Sequence, residues 1–183
     1  MENLNVPTRE EVSENNQQIF DNLNSKLGFV PNLYATFAHS DTALNDYLAF
    51  QNRKSSLKAK EREVINLVVS QVNDCEYCQA AHTVLGKMNG FTDEQVLELR
   101  GGSASFDIQL DALVKFAKET TINRGKPSQA TIDSLLAAGY NKENIVDIII
   151  VIGDKIVSNF LHGIGGFAVD FPAAPVLEEA AVA

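Results

Sequence analysis

The chain has 183 residues, enough for one domain to bury about two-thirds of its unfolded surface without disulfide staples or a structural metal. With 45% hydrophobic and 21% charged residues, the composition is that of an ordinary globular protein and not of a disordered one. A formal net charge of −9 and a pI near 4.8 argue against a nucleic-acid partner, which needs clustered Lys and Arg, and against binding to an anionic membrane.

The opening MENLNVPTREEVSENNQQ is polar and acidic and lacks the basic start and apolar core of a signal peptide, so the expected location is the cytoplasm. Helix signals recur along the chain while period-two apolar runs are missing, which predicts a single all-α domain over 1–183. Thr8 to Glu11 has capping-box spacing and predicts a helix to about Leu27, closed by Gly28, with Pro31 marking a break. A helix from about Thr42 to Arg53 turns Leu44, Tyr47, Leu48 and Phe50 toward the core. From Leu57 to Asn73, Val64, Leu67, Val68 and Gln71 fall at helical spacing, and Ile65 and Val69 widen the stripe enough to make this helix central. The basic run Arg53, Lys54, Lys58, Lys60 and Arg62 alternates with Glu61 and Glu63 and reads as a solvated face.

Asn73 and Asp74 are good N-cap types for a further helix that ends at Gly90, and Thr92 to Gln95 is a second capping box, opening a short helix to about Leu99 before Gly101 and Gly102. Asp107 to Asn123 is predicted helical with Leu110, Leu113, Val114 and Ala117 inward, stopped by Gly125 and Pro127. Ser128 caps the next helix, which Gly139 ends, and Asn141 opens the last, NKENIVDIIIVIGDKIVSNFLHGIGG. Its apolar run, Ile145 to Ile152, contains Asp147 and is followed by Gly153, Asp154 and Lys155; it is too short and polar to span a bilayer and suits a buried or oligomer-facing helix. GFTDEQV and GYNKENI share one pattern, either the trace of two related helical halves or two uses of a common helix-stop, helix-start phrase. Pro172 and Pro175 break up the tail, 172–183, which is expected to be loosely ordered or to lie on a neighbouring subunit.

Both cysteines of the chain fall in one stretch, NDCEYCQAAH. On a helix starting near Cys75, the positions of Cys75, Cys78 and His82 lie within an arc of about 60°. First-turn N–H groups and the helix dipole favour an anion there, so a thiol can fall from about 8.5 toward or below 7. One sulfur can then attack a peroxide or disulfide while the other resolves the product to a disulfide, chemistry that needs no cofactor. A structural zinc would need four ligands, and beyond the CxxC pair the chain offers only His82 and the distant His39 and His162. An open Cys2His metal site and a pair of inert buried cysteines with a satisfied histidine remain as competing readings. Glu63, twelve residues before Cys75, could orient the imidazole, although by itself it reads as an exposed member of KEREV.

The string E-x11-C-x2-C-x3-H, filled by Glu63, Cys75, Cys78 and His82, resembles the signature of the alkylhydroperoxidase D-like branch of the carboxymuconolactone decarboxylase family. VVSQVNDCEYCQAAHTVLGKMNGFTDEQV is similar beyond the bare motif, and LGFVPNLYATFAHSD resembles a segment of peroxidase-related members. The specific likeness covers about residues 27 to 102, with the redox motif region at 57–102. It implies an all-helical subunit, assembled as trimers or hexamers, that reduces hydroperoxides with the CxxC pair. The family pattern makes Cys78 the sulfur oxidised to sulfenic acid, Cys75 the proton donor and resolving thiol, and His82 with Glu63 the proton relay. A dithiol partner, of lipoyl-bearing type in the best-known branch, would reduce the disulfide. Two positions depart from the pattern. Tyr77 stands where some members have a second histidine, and its phenol, with a pKa of about 10, is a poor base at neutral pH; Lys58 replaces a Ser-type helix cap. A lactone decarboxylase, whose members usually lack the CxxC pair, and a redox sensor or scaffold without turnover are the alternatives.

Overall fold

The computed structural model describes residues 4–177. Among these the regular elements are helical: a 3-10 turn at Arg9–Glu11, then α1 (Glu14–Leu27), α2 (Asn32–Phe37), α3 (Ala43–Gln51), α4 (Ala59–Val72), α5 (Glu76–Met88), α6 (Asp93–Gly101), α7 (Ile108–Ile122), α8 (Gln129–Ala137) and α9 (Lys142–Gly165). They fall into two compact units. One runs up to Lys54 and takes in Phe160–Asp170; the other comprises Ser55–Asn159 and the residues from Phe171 on.

In the first unit, the expected long opening helix is divided. Glu11 accepts a hydrogen bond from the Thr8 N–H at 2.7 Å, but this closes only a 3-10 turn. Val12 then adopts an extended conformation and is buried, and Ser13 caps α1 afresh through the Asn16 N–H. Burying Val12 against Phe20, Ala35, Ala38 and Leu44 is worth more than one continuous helix in a polar stretch. The side chain of Asn16, itself buried, donates to the Ala38 and Ser40 carbonyls and so ties α1 to the chain after α2. On α3, Leu44 and Tyr47 face inward as expected, with Phe37 stacked on Tyr47 at 4.1 Å. Phe50 does not: it is 40% exposed, because α3 ends one residue later and leaves it on the outer side.

The second unit is built around α4, whose Val64, Ile65, Leu67, Val68 and Val69 are fully buried. Helices α6, α7, α8 and α9 supply the other side of that core through residues such as Val96, Leu99, Leu113, Val114, Leu135, Ile148 and Ile152. Gly86 on α5 lets the helices approach closely, since a Cβ there would already touch Leu67 and Val96 at 3.4 and 3.5 Å. The two similar phrases build the same local device. Gly90 and Gly139 take positive φ, Phe91 and Tyr140 are buried, and reciprocal caps follow at Thr92 with Gln95 and at Asn141 with Asn144. Gly102 ends α6 at φ +93, where a Cβ would be strained and would run into the Lys118 side chain. Thr92→Ala removes the hydroxyl that accepts the Gln95 N–H, and is expected to lower stability by about 1 kcal/mol. The check is a reduced urea midpoint at unchanged slope.

Residues 172–177 of the predicted tail carry no helix or strand, and 178–183 lie outside the described residues. The buried Arg100 guanidinium donates to Gln71, Gln79 and the Pro175 carbonyl, which ties this segment to α4, α5 and α6. No helix among the described residues is long and apolar enough to cross a membrane.

Candidate active site

The turn between α4 and α5 sets the positions of both thiols. Asn73 closes α4 rather than opening α5, and Asp74 takes φ +51, a left-handed conformation that a short polar side chain tolerates. Cys75 is therefore the N-cap of α5, a role expected of Asn73 or Asp74, and its Sγ accepts the Cys78 N–H at 3.3 Å. The Ser70 carbonyl holds the turn by accepting from the Cys75 N–H and from the Gln79 side chain. Cys75 and Cys78 are joined as a disulfide with their Cα atoms 5.3 Å apart, and each is 2% exposed.

One turn further along α5, His82 is buried and its Nδ1 lies 2.9 Å from Glu63 Oε2 on α4. Glu63 is not on the solvated face that the charge run suggested, being only 8% exposed. Its second oxygen accepts from the Asn66 side chain at 2.9 Å. Burial, the largest influence, pushes the Glu63 carboxyl up. The charge and hydrogen bond of His82, the Asn66 hydrogen bond and the charge of Lys155 together outweigh it and hold the group below the ordinary glutamate range.

Sequence reasoning did not single out Lys155. This side chain of α9 is 2% exposed, its Nζ lies 3.1 Å from His82 Nε2, and Asp154 Oδ2 is 3.6 Å away. Only a weak sign of it existed in the sequence: Asp147, Asp154, Lys155, Ser158 and Asn159 put polar side chains into an otherwise apolar helix, and all five are buried. Asn159 accepts from the Asn73 side chain at 2.9 Å. His162 belongs to the other unit, where its Nε2 donates to the Phe167 carbonyl. Tyr77 is 1% exposed, with its ring edge-on to Phe171 at 5.6 Å, and so packs as a core aromatic. At Lys58, where no side-chain acceptor exists, Glu61 takes the Lys58 N–H at 2.7 Å and supplies half of a capping box. Among the described residues no group of three or more His, Cys, Asp and Glu side chains could hold a metal ion.

A buried disulfide at a helix N-terminus, next to a carboxylate, imidazole and ammonium in a row, can take up electrons at sulfur and move protons without a cofactor. Residues 35–119, which hold Glu63, both cysteines and His82, match the model of the carboxymuconolactone decarboxylase family. Over that stretch, somewhat under half of its length, the chain is similar to this family. This match agrees with the likeness to solved structures. A peroxidase-related protein of Silicibacter sp. TM1040 is 26% identical, with 91% of this chain and 89% of that one covered at a TM-score of 0.80. The alkylhydroperoxidase AhpD core of a peroxidase-related protein of Ralstonia eutropha JMP134 is 22% identical, with 91% and 90% covered at a TM-score of 0.81, and shares the fold. So does the debrominase Bmp8, at 15% identity, 92% coverage of both chains and a TM-score of 0.75. No curated protein matches the chain.

Proposed function

We propose that this protein is a cofactor-free thiol peroxidase of the carboxymuconolactone decarboxylase family. The observation that carries the reading is the Cys75–Cys78 pair at the start of α5, one turn before a buried His82 held by Glu63. In the reduced protein the Cys78 thiolate attacks a hydroperoxide oxygen. An S–O bond forms, the O–O bond breaks, and the departing alkoxide takes a proton to leave as the alcohol. Cys75 then attacks the sulfenic sulfur as thiolate; the S–S bond forms and the hydroxyl leaves, with a proton, as water. Glu63 and His82 carry the protons, and an external dithiol, of lipoyl type, returns two electrons to the disulfide. The peroxidase-related relatives and the thiol pair support this substrate class over a carboxylated lactone.

The same reading places the protein in the cytoplasm, where dithiol reductants are available. It also includes assembly with further copies. Val146, Ile149 and Val157 are exposed on α9 and, at helical spacing, share one side of it, which supports an apolar contact of that kind.

The deciding experiment is thiol counting. Reduced protein given excess alkyl hydroperoxide should lose both thiols of each chain, with alcohol produced in step. If both thiols persist, the peroxidase reading fails; turnover of a carboxylated lactone by a Cys75→Ser/Cys78→Ser variant would favour the decarboxylase instead. A change in assembly state on oxidation, with no catalytic turnover, would identify a sensor.

A further inference from the structure

We infer that Lys155 is a positioning residue of this site, the buried cation that orients His82 and keeps Cys78 ionisable; its consequence for turnover rests on the peroxidase reading above. An ammonium 2% exposed is tolerated only when paired. Two groups face Lys155 closely: His82 Nε2 from α5 at 3.1 Å and Asp154 Oδ2 from its own helix at 3.6 Å. Glu63 on α4 completes the row through His82 and feels the Lys155 charge. The other buried carboxylates of these helices are engaged elsewhere, Glu61 by Tyr140 and the Lys58 N–H, Asp147 by Ser55 and Ser56.

A lysine ammonium has donors and no acceptor, so His82 Nε2 accepts and the ring proton sits on Nδ1, pointing at Glu63. That order holds the imidazole in one tautomer and one orientation. Nε2 takes up a thiol proton, and passes it into the relay with Glu63, only when Lys155 releases it. The stabilisation of a Cys78 thiolate therefore falls to the Lys155 charge as well as to the helix N-terminus. Without the cation, a thiolate one turn from His82 on α5 would add a third buried negative group to Glu63 and Asp154 at the two ends of that row. At an effective dielectric of about 20, a unit charge in the same buried region changes a neighbour's ionisation constant by roughly a power of ten.

The test titrates Cys78 in the reduced full-length protein, by the pH dependence of its alkylation rate read at that residue by mass spectrometry. Lys155→Met should move the midpoint up by about one pH unit, leaving roughly tenfold less thiolate at neutral pH. Lys155→Arg, which keeps the charge, should titrate close to wild type. Asp154→Asn removes a negative neighbour and should move the midpoint down. Wild-type titration in Lys155→Met, or the same upward shift in Lys155→Arg as in Lys155→Met, overturns the inference. Should Lys155→Met fail to fold, Asp154→Asn decides alone, and an unchanged or raised midpoint there is the contrary result. No peroxide enters this measurement, so a failure of the peroxidase reading, seen as wild-type thiols that survive hydroperoxide, is a separate outcome.

Discussion

Cys78→Ser is expected to abolish hydroperoxide turnover, by at least about a thousandfold, while leaving the fold intact. A serine hydroxyl is smaller than the thiol it replaces, fits the same buried site and cannot ionise at neutral pH, so no nucleophile remains. Cys75→Ser should behave differently. Cys75 caps α5 by accepting the Cys78 N–H, and serine performs that task at least as well, so α5 keeps its start. The attacking sulfur survives and one equivalent of peroxide is consumed, but the sulfenic acid has no thiol to resolve it and should accumulate. Mass spectrometry after trapping with a carbon nucleophile reads this directly: an adduct at Cys78 in Cys75→Ser, and none in Cys78→Ser. An adduct at Cys75 in the Cys78→Ser protein would reverse the two roles.

The helices were legible where their ends are local chemistry. Ser128, Thr92 and Asp107 each cap through their own side chain, and Gly28, Gly102 and Gly139 take the positive φ expected of a helix stop. Errors arose where two local signals compete. Thr8 with Glu11 has the spacing of a helix start, but burial of Val12 moves the start of α1 to Ser13. Asn73 and Asp74 are the preferred cap types, but the tight left-handed turn at Asp74 gives the position to Cys75. Of the candidate site, Cys75, Cys78 and His82 were legible because one helix carries them. Glu63 entered through the family resemblance, since its charged neighbours hid the fact that it points inward. Lys155 is separated from His82 by 73 residues, and nothing in local spacing pairs a lysine near the end of the chain with a histidine in its middle.

Glu63→Gln is expected to lower both stability and rate. It preserves the shape of the side chain and removes its charge, leaving the buried His82 and Lys155 without their carboxylate. Breaking a buried pair by neutralising one partner costs about 3–5 kcal/mol, and losing an oriented proton relay costs about 10²–10⁴ in rate. The two losses separate by pH. Because the folded protein holds the Glu63 carboxyl below its ordinary value of about 4.3, the unfolded chain takes up the proton first as the pH falls. The stability contributed by the Glu63 charge is thus fully present above about pH 4.3 and is lost as the pH falls through the depressed folded value. Urea midpoints of wild type and Glu63→Gln should therefore lie far apart at neutral pH and converge under acid. A gap that stays constant down to acid pH would mean that the carboxylate charge contributes nothing and that the variant fails through packing alone. In that case the rate loss, too, would have to be sought in the position of His82 and not in the proton it shares with Glu63.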